Sequence, residues 1–379
     1  MSTETADAGY KLQLDGLRCF LFTWIFLVHA NLERLWFGTF ALPVFFIVSG
    51  FLITRNLLAG ESASPRRTLG IFYARRALRV FPIYYLICGI LVFIGKLAFP
   101  VWHFTYLFNV KFFLVSLEGR HLEILGDWTW NGSHFWSLSV EEQFYLTFPP
   151  LLILTPKRRR VLLLFALLAA SIAARFLLAH LFSGPRPGPV YYGALLPVCG
   201  EYILMGAILG YFDVCHGQAL RRLPPGLFAY GGIAASLLLF NFAKPPEGFR
   251  YFAQFLPVPH QTVYGLAFTA VVWGLWSGDR LLLSRFLSFR PFAYLGKICY
   301  GLYLFHMLGF SLWAAFMKRF PDFDAWMTPT AEAFWVADPQ WWINGIVPYA
   351  LTVAMASAAW HLFEGPINGL KRFLPYRSA

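Results

Sequence analysis

The chain has 379 residues, of which 58% are hydrophobic and only 13% are charged. A soluble globular domain carries roughly 25% charged residues, so that class is excluded, and the 19% aromatic share suits the interfacial belts of a membrane protein. The net charge of +12 would suggest nucleic acid in a soluble chain. In a polytopic chain it reflects cytoplasmic loops, so membrane lipids and no nucleic acid are expected as partners.

The first thirteen residues include Glu4, Asp7 and Lys11 and lack the apolar core of a cleavable signal. The first apolar helix is therefore expected to act as the insertion signal. Ten segments meet the ~20-residue requirement of a spanning helix: 15–33, 39–57, 77–97, 136–155, 161–182, 194–213, 227–243, 258–277, 292–316 and 342–363. The expected fold is an all-α polytopic membrane protein, a bundle of about ten helices. One transmembrane unit covers 1–379, with a polar tail at 1–13 and a basic tail at 366–379.

Charge supports this topology. With the N-terminus in the cytoplasm, most of the 31 basic residues fall on the inner side, in runs such as Arg66 to Arg79, Lys157 to Arg160 and Arg280 to Arg290. The outer connections take most of the acids, so both termini are expected inside. Two outer connections are long, Pro100 to Phe135 and Lys318 to Trp341, and both are rich in aromatic residues. They read either as lids and binding surfaces or as interfacial anchors.

The candidate residues follow in chain order. Arg18 and His29 lie in the first span, eleven positions apart. That is ~16 Å of rise and close to three turns, so both face roughly the same way, Arg18 at the cytoplasmic mouth and His29 near mid-membrane. An ionisable group at that depth faces a bundle interior or a wet cavity. Ser49-Gly50 in the second span suits close helix packing. Arg75, Arg76 and Arg79 precede the third span, with Arg76 and Arg79 at i, i+3. Guanidiniums at a bundle mouth suit bidentate phosphate binding, the alternative being lipid headgroup contact.

The fourth span opens as His134-Phe-Trp-Ser-Leu-Ser-Val-Glu141-Glu142-Gln-Phe-Tyr145. Ser137 and Glu141 are i, i+4, while Glu142 and Tyr145 are i, i+3, so the two carboxylates point in different directions. Glu141 reaches ~8–9 Å below the outer edge, a depth comparable with His29. One carboxylate is expected to orient that imidazole; compensation of the helix dipole is the alternative. Glu201 in the sixth span and Tyr303 and His306 in the ninth are further candidates. His361 and Glu364 read as anchors at the last cytoplasmic end. His29, His306, Glu141 and Glu142 show no metal-ligand spacing, so no metal is expected. The five cysteines are odd in number and lack a CxxC pair, and they read as packing residues rather than a disulfide framework.

Several of these stretches together resemble the membrane-bound acyltransferase family 3. They are LDGLR with Arg18 and His29, FFIVSGFLIT, Arg76-x-x-Arg79 in FYARRALRVFP, WSLSVEEQFYL, GLYLFH and the closing HLFEGPI, in order across residues 14 to 367. The resemblance implies a ten-helix O-acyltransferase of the bacterial inner membrane. It would move an acyl group, commonly acetyl, from cytoplasmic acetyl-CoA to a hydroxyl of a surface polysaccharide, lipopolysaccharide or lipid-linked saccharide. Many longer members add a C-terminal hydrolase-like domain, for which no counterpart is expected after Arg377. Glu201 stands where the family leads one to expect an aspartate.

On this reading Arg18, Arg76 and Arg79 hold the coenzyme A phosphates. His29 acts as general base on the acceptor hydroxyl, oriented by Glu141 or Glu142, or forms an acyl-histidine. Ser137, Tyr145, Tyr303 and His306 are placed at the substrate. Competing readings are a saccharide or lipid transporter, an export subunit, and an acyltransferase for a small molecule such as a macrolide. A homo-oligomer is compatible with all of them.

Overall fold

The computed structural model of the chain describes residues 10–30, 40–62, 64–120, 123, 130–184, 190–242, 261–320 and 339–375. Most of the connection from Lys318 to Trp341 therefore lies outside the described residues. Helices cover all ten expected spans, and seven of them are long and apolar enough to cross a membrane. The chain is an all-α, polytopic, integral membrane protein.

Helix α1 (Leu12–His29), α2 (Ala41–Ala59) and α3 (Pro65–Phe93) open the bundle. The start of α3 is set locally: Ser64 caps it by accepting from the Arg67 amide, and a proline stands in its first turn. The connection from Pro100 to Phe135 is helical over much of its described length. It holds α4 (Pro100–Phe104), α5 (Phe108–Leu117) and a 3-10 turn at Ser133–Phe135. Gly132, at φ +76°, turns the chain from this connection into α6 (Trp136–Leu154).

The second half comprises α7 (Arg160–Leu181), α8 (Leu196–Leu220), α9 (Pro225–Phe242) and α10 (Gln261–Ser277). Two short helices follow, α11 (Leu282–Leu287) and α12 (Arg290–Lys297), then α13 (Cys299–Arg319) and α14 (Pro339–Ala359). A π-helical turn at Trp360–Glu364 joins α14 to α15 (Gly365–Gly369). The expected ninth span, 292–316, is thus two helices. The chain breaks at Ile298, so that α12 can lie against the N-terminal end of α1.

Helices α2 and α8 pack at backbone contact. A Cβ on Gly50 would stand 1.9 Å from the Ile203 carbonyl oxygen, and one on Gly206 would stand 2.0 Å from that of Ile47. Helix association in lipid depends on such close approach. Helix α12 meets α1 in the same way, where a Cβ on Gly296 would fall 1.7 Å from the Asp15 carbonyl oxygen. These contacts fix α1 and α2, the two helices that carry His29 and Ser49.

The C-terminal end of α7 and the N-terminal ends of α8 and α10 are joined by a buried polar knot. Arg175 donates from Nε to Glu201 (2.9 Å) and from Nη2 to Thr262 (2.7 Å), and Thr262 donates to Glu201 (2.6 Å). Arg175 and Glu201 are completely buried. Glu201 therefore has a structural task, holding three helices together.

Candidate functional site

The site begins where α1 ends. Nδ1 of His29 lies 3.2 Å from Nε2 of His306 on α13, and the two rings are 4.9 Å apart. His306 is fully buried, and its Nδ1 lies 2.6 Å from the Tyr303 carbonyl oxygen one turn earlier. A carbonyl only accepts, so Nδ1 of His306 carries its proton and Nε2 holds the lone pair. That lone pair requires a proton on Nδ1 of His29. The Ile25 carbonyl also faces the His29 ring. In the neutral ring Nε2 of His29 is then the unprotonated nitrogen, the form a general base needs.

Helix α13 also holds the next layer. The Tyr303 hydroxyl donates to the His134 carbonyl oxygen (2.8 Å) and lies 2.7 Å from the Ser137 hydroxyl. Tyr303 and Ser137 thus tie α13 to the head of α6. The His134 ring packs 4.6 Å from that of His306 at a steep angle. Three imidazoles follow one another: His29, His306 and His134. Among the described residues no group of His, Cys, Asp and Glu has the arrangement of a metal site.

The glutamates occupy a different level. Arg76 donates to Glu142 from Nε (3.2 Å) and Nη2 (3.0 Å). Its Nη2 is 3.9 Å from Glu141. The guanidinium also lies 3.7 Å over the Tyr145 ring, and the Tyr145 hydroxyl is hydrogen-bonded to Ser49 on α2. Helices α2, α3 and α6 are therefore joined through one arginine. The carboxylate expected to orient His29 is replaced by an imidazole, and both glutamates are turned toward Arg76. The reason is height: α6 descends from the outer side, so Glu141 lies ~6 Å below Ser137, on the level of Arg76 rather than of His306.

Below this level three guanidiniums converge. Arg18 is paired with Asp15 on α1 (3.2 Å) and faces Cys299, Tyr145 and Glu141. Arg79 faces Arg18, Arg76, Cys299 and Asp15. Arg76 and Arg18 have carboxylate partners, whereas Arg79 makes no ion pair or hydrogen bond among the described residues. The carboxylates that face it are Asp15 and Glu364. Glu364, on the π-turn, is buried with Oε1 unpartnered and turned to Gly301. It is part of the wall of this mouth rather than an exposed anchor.

The structure thus brings together nearly all the expected site residues, in two levels rather than one. His29, His306, Tyr303 and Ser137 form the outer level. Tyr145, Glu141, Glu142, Arg76, Arg79 and Arg18 form the inner one. Sequence reasoning passed over Asp15, Ser49 as a polar partner and above all the ring of His134, and it read Glu364 only as an anchor. The signal for His134 was its place four residues before Leu138, inside the same polar run that carries Ser137 and Glu141.

Residues 11–361 match the family described as Acyltransferase domain. Among curated proteins, the chain is similar to O-acetyltransferase OatA of Staphylococcus aureus, 25% identical over 78% of this chain and 50% of that protein. It is also similar to peptidoglycan O-acetyltransferase OatA of Listeria monocytogenes, 25% identical over 97% of this chain and 57% of that protein. The chain therefore spans about half the length of these relatives. No solved structure matches it.

Proposed function

Since the chain belongs to the acyltransferase domain family, we propose that it moves an acetyl group from cytoplasmic acetyl-CoA to a hydroxyl of a glycan. The glycan is a surface or wall polysaccharide, or its lipid-linked precursor. The names of its relatives, both O-acetyltransferases and one of them for peptidoglycan, support this acceptor class. The protein would act in the bacterial inner membrane with both ends of the chain in the cytoplasm.

The observation that carries the reading is the contact chain from Nδ1 of His29 to His306 and on to the Tyr303 carbonyl, which sets the His29 tautomer on the helix that also bears Arg18. Arg79, with Arg18 beside it, would hold the donor's phosphates at the cytoplasmic mouth. The acceptor hydroxyl would lie against Nε2 of His29. His29 takes the hydroxyl proton as the oxygen bonds to the thioester carbonyl carbon; the carbon–sulfur bond breaks, and His29 returns the proton to the departing thiolate. The imidazolium formed between these two transfers shares its Nδ1 proton with His306 and, through it, leans on the Tyr303 carbonyl. Arg76 serves a different purpose from Arg79, since its charge is spent on Glu142.

The test is direct. Purified protein in lipid nanodiscs is given acetyl-CoA carrying labelled acetyl and a muramyl glycan, and the products are read by mass spectrometry. Label should appear as an ester on the glycan and be absent with His29→Ala. Wild-type transfer by His29→Ala would sink the base assignment.

A further inference from the structure

We propose that His134 binds the acceptor, presenting its imidazole to a hydroxyl of the saccharide beside the His29–His306 pair. This rests on the acyl-transfer reading above and adds a residue to it. The His134 ring is buried, at 5% exposure, and neither ring nitrogen has a hydrogen-bond partner. The Tyr303 and Leu304 carbonyls face the ring without meeting hydrogen-bond geometry. That of Tyr303 takes the His306 Nδ1 proton, and that of Leu304 takes the Trp130 indole N–H at 3.3 Å. The backbone of His134 is held by the Tyr303 hydroxyl, so the ring is anchored but its nitrogens are not used.

Buried polar groups in native proteins are almost always paired, and an unpaired one costs stability. Such a cost persists where a ligand supplies the missing partner. A neutral imidazole offers one donor and one acceptor, which is also what an alcohol offers. Phosphate and carboxylate are acceptors only and would leave one nitrogen unserved. The ring is 4.6 Å from His306, so a hydroxyl held on it belongs to the same substrate as the one on His29. Neighbouring hydroxyls of a sugar ring meet that need. His103, whose ring lies 5.9 Å from that of Phe135, is likewise buried with both nitrogens outside hydrogen-bond geometry.

The test uses His134→Phe, which keeps the ring and removes both polar atoms, in the full chain in nanodiscs. Three quantities are read: the thermal midpoint, coenzyme A binding by calorimetry, and acetyl transfer to the glycan at varied glycan concentration. Expected are a midpoint equal to or above wild type, unchanged coenzyme A binding, and kcat/KM for the glycan reduced roughly tenfold or more. His134→Gln, which retains one donor and one acceptor, should recover part of the loss. Wild-type transfer by His134→Phe overturns the proposal. So does a lowered midpoint with coenzyme A binding lost in both variants, which would make the residue structural. A wild-type protein that transfers nothing to any glycan sinks the underlying reading, which is a different result from an active wild type with an equally active His134→Phe.

Discussion

His306 stands to His29 as a carboxylate stands to the base of a hydrolase: its Nε2, 3.2 Å from Nδ1 of His29, accepts the proton that fixes the tautomer. The pair forms because the Tyr303 carbonyl removes the other tautomer of His306. Two neutral imidazoles suit a lipid-surrounded interior better than an imidazole and a carboxylate, because neither carries a charge before the reaction begins.

Replacing His306 with Ala should therefore lower kcat by roughly 10²- to 10⁴-fold, the range of a general-base contribution. The KM for donor should change little. Combining His306→Ala with His29→Ala should cost no more than His29→Ala alone, since the two act as one unit. Transfer kinetics of the two single variants and the double variant decide this, and additive losses would refute the pairing.

Arg76 and Glu142 should matter for the fold more than for the donor. Glu142→Ala leaves a half-buried guanidinium without its two hydrogen bonds, a loss of roughly 3 kcal/mol. Glu141→Ala should cost less, because its contact with Arg76 is 3.9 Å. Thermal midpoints in detergent, with coenzyme A binding measured on the surviving protein, separate the two. Arg79→Ala should show the reverse pattern, with the midpoint kept and binding weakened.

Helix packing offers a sharper contrast. Gly206→Ala would drive a methyl group into the Ile47 carbonyl, and overpacking of this kind costs about 1–3 kcal/mol. Gly89→Ala, on α3, meets nothing within 4 Å and should stabilise by about 0.5–1 kcal/mol. Expression and thermal midpoint of the two variants should move in opposite directions.

One ion pair at the membrane edge should respond to acid. Arg160 grips Glu61 bidentately, at 2.7 and 2.8 Å. These bonds hold the Glu61 carboxyl below its ordinary value of 4.5. A depressed carboxyl contributes stability that is complete above about pH 4.5 and is lost as the pH falls toward the folded-state value. The contribution should be about 1 kcal/mol, given partial exposure. Midpoints measured from pH 6 down to about 3 should converge for wild type and Glu61→Gln.

The helices were legible in the sequence because lipid permits few alternatives: apolar runs of sufficient length must be helical. The mouth was legible for a related reason, since Arg18, Arg76 and Arg79 are costly wherever they lack a purpose. What could not be read was height and rotation between helices. Spacing along α6 placed Glu141 at a depth similar to His29, but only the packed bundle reveals that Arg76 meets it there and His306 meets His29. The break at Ile298 was hidden because α12 and α13 share one apolar run. His134 was missed because an orphaned ring is defined by what surrounds it, and a sequence does not list surroundings.

Helix α1 is also a ruler. Arg18 and His29 are fixed on one unbroken rod, ~16 Å apart along its axis, and no side-chain motion can change that interval by much. On the proposed reading the rod gauges the donor, one mark for its phosphate end and one for its thioester. An acetyl-pantetheine lacking the nucleotide would touch only the second mark and lose its registration. One residue inserted between the marks would lengthen the rod by only ~1.5 Å but turn His29 by ~100° away from His306. The gauge is therefore far less tolerant of an added residue than of a changed one.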